Sequence, residues 1–300
     1  MTSKIGFIGV GMMGHGMIKN LIEKGYEVVA MAHRNRVPLE DLLGKGATEA
    51  SSPKAIAEAC DILILCVTGS PQVEAVAYGK NGFLAGVSTG MTVIDCSTGE
   101  PAVVEKIAGE LSELGVEMAD APLARTPVEA EAGTLNTMVG ASDAVFEEIT
   151  PVLETFCENI FHMGPVGAGS RMKLINNQIT MGQATLIAEA LCACEATGVD
   201  LQRFRDVISA GGGNSGIFQM VVPGILDAGD FEGMKFSIAN ATKDLRYLNS
   251  MLADAGVVSP LGNATHNAFL QAGKAGYADG LVGHLVKAQA ELNKVSIGKC

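Results

Sequence analysis

Ile5-Gly6-Phe7-Ile8-Gly9-Val10-Gly11-Met12-Met13-Gly14, followed by Met17, Ile18, Leu21 and Ile22 and a stop near Gly25, decides the fold. Ile5 to Ile8 is a short apolar run of strand length, and the later apolar positions recur at helical spacing. Strand, tight turn and helix in direct succession open a βαβ unit, and Gly-x-Gly-x-x-Gly gives each glycine a task. Gly9 takes the turn, Gly11 lets backbone amides approach a pyrophosphate, and Gly14 lets helix and strand pack closely. The helix then turns the positive end of its dipole toward the phosphates. Alone the motif is weak, because the chain holds 37 glycines. Its place between strand and helix gives it weight, and Val10, Met12 and Met13 join the candidate cofactor loop.

Working outward, short apolar runs recur at Tyr26 to Ala32, Ile62 to Val67, Thr92 to Asp95 and Val116 to Ala119, separated by segments of helical spacing. Leu135 to Val139, a helix near Ser142 to Phe156 and a strand near Asn159 to Met163 read as a last unit of the same domain. Gly164-Pro165-Val166-Gly167-Ala168-Gly169 breaks the pattern. A long helix is predicted from Gly169 to Gly198, and further helices follow around 201–210, 216–226, 238–253, 260–272 and 281–295. The expectation is an α/β, doubly wound, mostly parallel sheet over residues 1–164 and an all-helical second domain over 165–300. Gly211-Gly212-Gly213 reads as a flexible break between helices.

The composition narrows the function classes. Of 300 residues, 48% are hydrophobic and 18% charged, enough for two cores and against disorder. No apolar run approaches the roughly 20 residues a bilayer requires, so no membrane partner is expected. Residues 1–10 run straight into the glycine loop and leave no room for a separate signal peptide, so a cytoplasmic location is expected. A net charge of −12 argues against a nucleic-acid partner. Seven cysteines without Cys-x-x-Cys spacing suit reduced thiols, and no metal site is expected.

A site selective for NAD places an acid at the end of its second strand, about 20 residues past the loop. This chain has Ala32-His33-Arg34-Asn35-Arg36 there. A guanidinium suits the 2′-phosphate of NADP, so Arg34 and Asn35 favour NADP(H), with NAD(H) still open. Farther on, Lys173, Asn176 and Asn177 stand at i, i+3 and i+4 on the long helix and share one face. Alone they read as a polar surface stripe. After a dinucleotide domain they suit carbonyl reduction, in which the oxygen that gains electron density needs a proton. Lys173 can supply it, and the asparagine amides can orient lysine and substrate without competing for the proton.

Taken together, the loop 9–14, Asp120-Ala121-Pro122, Gly167-Ala168-Gly169 before Lys173-Leu174-Ile175-Asn176-Asn177, and Lys243-Asp244-Leu245 resemble the β-hydroxyacid dehydrogenases over nearly the whole chain. The resemblance implies a Rossmann-type first domain, a long interdomain helix, and a helical second domain that helps form a homodimer or homotetramer. It implies that Lys173 is the catalytic lysine, with Asn177 and Asn176 orienting the substrate. It also implies that Val67, Thr68 and Gln72 pass under the cofactor, that Thr98 lies near the nicotinamide ribose, and that Phe236 and Lys243 contact the cofactor from the helical domain. Many members continue Asp-Ala-Pro-Val with Ser-Gly-Gly, where this chain has Leu123-Ala124-Arg125-Thr126. Ala124, Arg125 and Thr126 become the expected contacts of a small anionic substrate, carboxylate or sulfonate.

The expected activity is the interconversion of a small 3-hydroxy acid, or a β-hydroxy sulfonate, and its aldehyde. An imine reductase-like enzyme and a non-catalytic dinucleotide-binding redox sensor are the alternatives. His15 just past the loop reads as an exposed helix residue, with a phosphate contact as the alternative, and His162, His266 and His284 show no partner in sequence.

Overall fold

A computed structural model describes residues 3–298. The chain divides into two compact units, Met1–Lys173 and Leu174–Cys300.

The first unit is built on a nine-stranded sheet. Its strands are β1 (Ile5–Ile8), β2 (Val28–Met31), β3 (Thr48–Glu49), β4 (Ile62–Leu65), β5 (Thr92–Asp95), β6 (Glu117–Asp120), β7 (Leu123–Ala124), β8 (Leu135–Gly140) and β9 (Cys157–Gly164). The order runs β3-β2-β1-β4-β5-β6-β8-β7, with β9 beside β8. The strands from β3 to β6 are parallel; β8 runs antiparallel to β6 and β7 and parallel to β9. Its helices are α1 (Met12–Glu23), α2 (Val37–Gly44), α3 (Pro53–Ala57), α4 (Ser70–Tyr78), α5 (Pro101–Glu113), α6 (Pro127–Ala132) and α7 (Asp143–Leu153).

The continuous apolar strands of the sequence follow from burial on both faces. In β4, Ile62 and Ile64 pack into one core with Phe7, Met17 and Ile18, while Leu63 and Leu65 pack into another with Val93 and Leu111. Alternate side chains point to opposite faces, so a strand covered by helices on both sides must be apolar throughout. The doubly wound sheet therefore forms as expected. The two-residue strands β3 and β7 and the short helix α6 are additions that the apolar patterning does not carry.

α8 (Ala168–Thr197) begins in the first unit, and its part from Leu174 belongs to the second. There it joins α9 (Leu201–Ala210), α10 (Gly216–Ala228), α11 (Ile238–Asp254), α12 (Pro260–Ala272) and α13 (His284–Asn293). Their core includes Leu191, Phe218, Ile225, Leu245 and Phe269. Asp200, Ser215 and Ser237 cap α9, α10 and α11 by accepting the amide three residues on. Among the described residues this unit is helical apart from one isolated bridge, Ser237 to Leu281, as expected of an all-helical domain.

Cys60, Cys66, Cys96, Cys157, Cys192 and Cys194 are free thiols, and Cys300 lies outside the described residues. Burial pushes the Cys66 and Cys157 thiols up to about 12, so neither is a thiolate near neutrality. Among the described residues no cluster could hold a metal and no helix is long and apolar enough to cross a membrane.

Candidate functional site

β1 lies between β2 and β4, so the chain leaves it toward one side of the sheet and later returns on the other. Such a reversal opens a crevice at the carboxyl ends of the strands, and the glycine loop sits there. Gly9 adopts φ +117°, and a Cβ on it would stand 2.1 Å from the Cys66 carbonyl oxygen. A Cβ on Gly14 would stand 2.1 Å from the Gly9 carbonyl oxygen, so turn and helix close only with glycine at both places. At Gly11 an added Cβ meets nothing within 4 Å. Packing therefore explains Gly9 and Gly14, whereas Gly11 faces open space and fits the close approach of a ligand. No side chain caps α1, which leaves its first amides available to an anion. These residues fit a dinucleotide pyrophosphate. Met12 is exposed, while Val10 and Met13 lean on the core.

In the turn after β2, the Arg36 guanidinium donates to both oxygens of Glu49 at 2.8 and 3.0 Å. The Asn35 side-chain oxygen accepts the Val37 amide at 3.1 Å. Arg34 is exposed beside them. The two residues nominated for a 2′-phosphate thus differ: Asn35 shapes the turn, and Arg34 projects from it.

The other expected cofactor contacts of this unit follow β4 and β5. The Val67 amide donates to the Ser97 hydroxyl at 3.0 Å, and the Ser97 amide donates to buried Asp95 at 2.9 Å, which ties the two loops together. Thr98 is half-buried beside Ser97, Thr68 precedes α4, and Gln72 is exposed on its first turn.

The expected substrate loop is less open. Ala124 ends β7, paired with Asn136. Arg125 adopts φ +80°, the left-handed region that glycine tolerates best. Its guanidinium donates to the Thr134 carbonyl and the Glu158 carboxylate. Thr126 caps α6: its amide and hydroxyl donate to Glu129 at 2.9 and 2.5 Å, and its hydroxyl oxygen accepts from Val128. Those hydrogen bonds from Thr126 hold the Glu129 carboxyl below its ordinary range. Arg125 Nη1 and the Thr126 amide and hydroxyl are thus already engaged within the chain.

Lys173 is 9% exposed on α8, one helical turn before Asn176 and Asn177. Asn176 donates to the Asn177 side-chain oxygen at 3.2 Å, and Asn177 donates to Asp244 of α11 at 2.7 Å. Asp244, 2% exposed, also lies 2.8 Å from the Lys243 ammonium, which stands 5.1 Å from the Tyr247 ring centre. Both Asn177 and Lys243 are thus tied to one buried carboxylate. Phe236 packs on the second-unit core, and its carbonyl accepts from Val282 at 2.8 Å.

Two acids of the quoted motifs gain roles that spacing could not assign. Asp244 is the acceptor around which Asn177 and Lys243 gather. Asp120, fully buried at the end of β6, accepts the amides of Gly167 and Ser170 at 2.6 and 2.5 Å, at the start of α8. Burial raises its carboxyl above the ordinary range although both amides favour the charged form. The histidines have partners too. His15 Nδ1 lies 2.6 Å from a Glu131 carboxylate oxygen and its Nε2 2.8 Å from one of Asp41, and His162 stacks on Phe146 with ring centres 4.3 Å apart.

The model of the NAD binding domain of 6-phosphogluconate dehydrogenase matches residues 4–164. The model of the NAD-binding segment of NADP-dependent 3-hydroxyisobutyrate dehydrogenase matches residues 167–288. The chain belongs to the β-hydroxyacid dehydrogenase family. It is 33% identical to 3-sulfolactaldehyde reductase of Escherichia coli K12 over 91% of each chain. It is 34% identical to 2-(hydroxymethyl)glutarate dehydrogenase of Eubacterium barkeri, covering 81% of this chain and 80% of that one. The structure of Mycobacterium tuberculosis 3-hydroxyisobutyrate dehydrogenase with L-serine superposes with a TM-score of 0.87 at 27% identity, over 96% of this chain and 99% of that one. This β-hydroxyacid dehydrogenase is an oxidoreductase that acts on CH–OH groups with a nicotinamide dinucleotide.

Proposed function

We propose that the enzyme interconverts a small 3-hydroxy acid, or a β-hydroxy sulfonate, and its aldehyde, with NADP(H) preferred over NAD(H). The observation that carries this reading is Lys173, nearly buried on α8 and followed one turn later by Asn176 and Asn177. The cofactor supplies or accepts the hydride. Lys173 gives the carbonyl oxygen its proton in reduction and removes it in oxidation. Asn177, held by Asp244, presents its remaining polar atoms in a fixed direction, and Asn176 follows it. Val67, Thr68, Gln72 and Thr98 line the cofactor path from the strand ends, and Phe236 and Lys243 contribute contacts from α11 and the segment before it.

Relatives that reduce a sulfolactaldehyde or oxidise a hydroxymethyl dicarboxylate support an anionic substrate. Ala124, Arg125 and Thr126 receive that anion, which competes with Glu158 for the Arg125 guanidinium. The exposed Arg34 supports NADP, because Arg36 is already neutralised by Glu49. A homodimer or homotetramer is part of the reading, since Ile175, Ile179 and Leu186 stand 39%, 57% and 64% exposed on one side of α8. So is a cytoplasmic location.

The test is a matrix of NADPH and NADH against glyoxylate, succinic semialdehyde, tartronate semialdehyde, methylmalonate semialdehyde and sulfolactaldehyde, with Arg125→Gly run beside the parent. The expected result is at least one aldehyde reduced with NADPH favoured, and an Arg125→Gly enzyme whose substrate KM rises about tenfold, the equivalent of ~1.4 kcal/mol, with nucleotide affinity unchanged. Equal loss of substrate and nucleotide affinity would make Arg125 a structural residue.

A further inference from the structure

We propose that Asp120 is the positioning residue for Lys173: its carboxylate pins the first turn of α8 to the end of β6 and so sets the place from which the lysine reaches the substrate oxygen. This rests on the reading of Lys173 as the proton-transfer group.

The helices of the molecule differ in how they are held at their N-termini. Ser52, Ser142, Asp200, Ser215 and Ser237 each cap their own helix by accepting the amide three residues on. Such a cap joins a helix only to its own entry loop. α8 takes its acceptor from elsewhere, 47 and 50 residues upstream, at the Gly167 and Ser170 amides. Asp120 is itself fixed, because β6 continues the parallel sheet through β5 and meets β8 at Gly140. The contact therefore ties the start of α8 to the sheet.

The surrounding glycines keep the slot narrow. A Cβ at Gly140 would stand 2.2 Å from one Asp120 carboxylate oxygen, and a Cβ at Gly169 would stand 3.0 Å from the other and 2.2 Å from the Met138 carbonyl oxygen. Gly167 adopts φ +89°, which brings the chain into the helix with its amide on Asp120. Ser170 and Lys173 are three residues apart, so the pinned amide and the lysine lie on neighbouring parts of one helix face. A displacement of the first turn would carry Lys173 with it, and about 1 Å of misplacement can cost roughly a hundredfold in rate. A fully buried carboxylate is costly unless its hydrogen bonds repay it, and here burial still dominates its proton affinity. A neutral local cap would hold the helix without that cost but would leave its position on the sheet unset.

The experiment measures kcat, KM and the NADPH dissociation constant of the full-length enzyme and of Asp120→Asn, Asp120→Ala and Lys173→Ala, using the aldehyde turned over fastest by the parent. Asparagine keeps one accepting oxygen and loses the second. Asp120→Asn should lower kcat about tenfold, Asp120→Ala should lower it further, and both should leave the NADPH dissociation constant within about twofold. Asp120→Asn with kcat within twofold of the parent, or with kcat and NADPH affinity reduced by the same factor, overturns the proposal while leaving the role of Lys173 intact. Turnover by Lys173→Ala within a few-fold of the parent instead removes the reading on which the proposal stands. If Asp120→Asn does not fold, Ser170→Pro removes the Ser170 amide donor, and its hydroxyl, from the first turn of α8, where no intrahelical hydrogen bond is lost. It should lower kcat at least threefold with NADPH binding retained, and an unchanged kcat overturns the proposal.

Discussion

In the proposed dinucleotide loop from Gly9 to Gly14 the surface offered is backbone, and side chains matter by their absence. In the proposed substrate-side cluster of Asn176, Asn177, Asp244 and Lys243 the surface is side chains, drawn from helices 67 residues apart in sequence at the Asn177–Asp244 contact. The first kind of site is set by local sterics: two added Cβ atoms would each strike a carbonyl at 2.1 Å, so the spacing of the glycines contains the geometry. The second kind is set by packing that brings α11 against α8, and no spacing within either helix reveals the partner. A backbone site tolerates changes in neighbouring side chains. A side-chain site around one buried carboxylate fails as a group.

The largest effect of breaking that contrast is expected at Asp244. Asp244→Ala leaves Lys243 and Asn177 without their common acceptor, and removing one member of a buried charged pair costs about 3 kcal/mol or more. Denaturant unfolding should show that loss. A stability within about 0.5 kcal/mol of the parent would mean that Asp244 organises nothing. Next comes Gly14→Ala, whose Cβ meets backbone that cannot rotate away. It should cost roughly 2 kcal/mol as overpacking and weaken NADPH binding about tenfold in a fluorescence titration. Unaltered binding would show that the loop does not carry the dinucleotide.

The smallest effect belongs to His15, on the same helix as Gly14. Burial lowers its proton affinity, but hydrogen bonds and charge from Glu131 and Asp41 raise it further, to a net value above the ordinary 6.5. The pairing therefore adds stability that is complete below the unfolded value and fades as pH rises through the higher folded one. Its partners are 42% and 46% exposed, so the contribution stays under about 1 kcal/mol. Melting temperatures of the parent should fall from pH 6 to pH 8 more steeply than those of His15→Ala. Parallel slopes would remove the effect.

Much of the fold is legible in the amino-acid sequence. The apolar strands Ile5–Ile8, Ile62–Leu65 and Thr92–Asp95 are buried on both faces, and the helical spacing of α8, α10 and α11 is continuous over many turns. The short elements are not legible in this way. β3 and β7 hold two residues each and carry no periodicity. α6 does carry a local signature, Thr126 and Glu129 as a capping box with Pro127 at the first helical position, but its six residues offer too little apolar pattern to announce it. The same limit applies to the site. Gly9, Gly11 and Gly14 can be read from spacing, and Lys173 with Asn177 from helix geometry. The engagement of Arg125 with Glu158 and of Asp120 with the start of α8 depends on chain reversals and long-range pairs that residue types do not encode.

The proposed chemistry divides the labour: the glycine loop holds the dinucleotide and Lys173 moves the proton. Its most direct test is Lys173→Ala, with NADPH binding and the rate of aldehyde reduction measured on the same preparation. The expected result is an NADPH dissociation constant within about twofold of the parent and a kcat lower by roughly 10²–10⁴, the range of a lost general acid. Turnover within a few-fold of the parent, or loss of NADPH binding together with turnover, would contradict it.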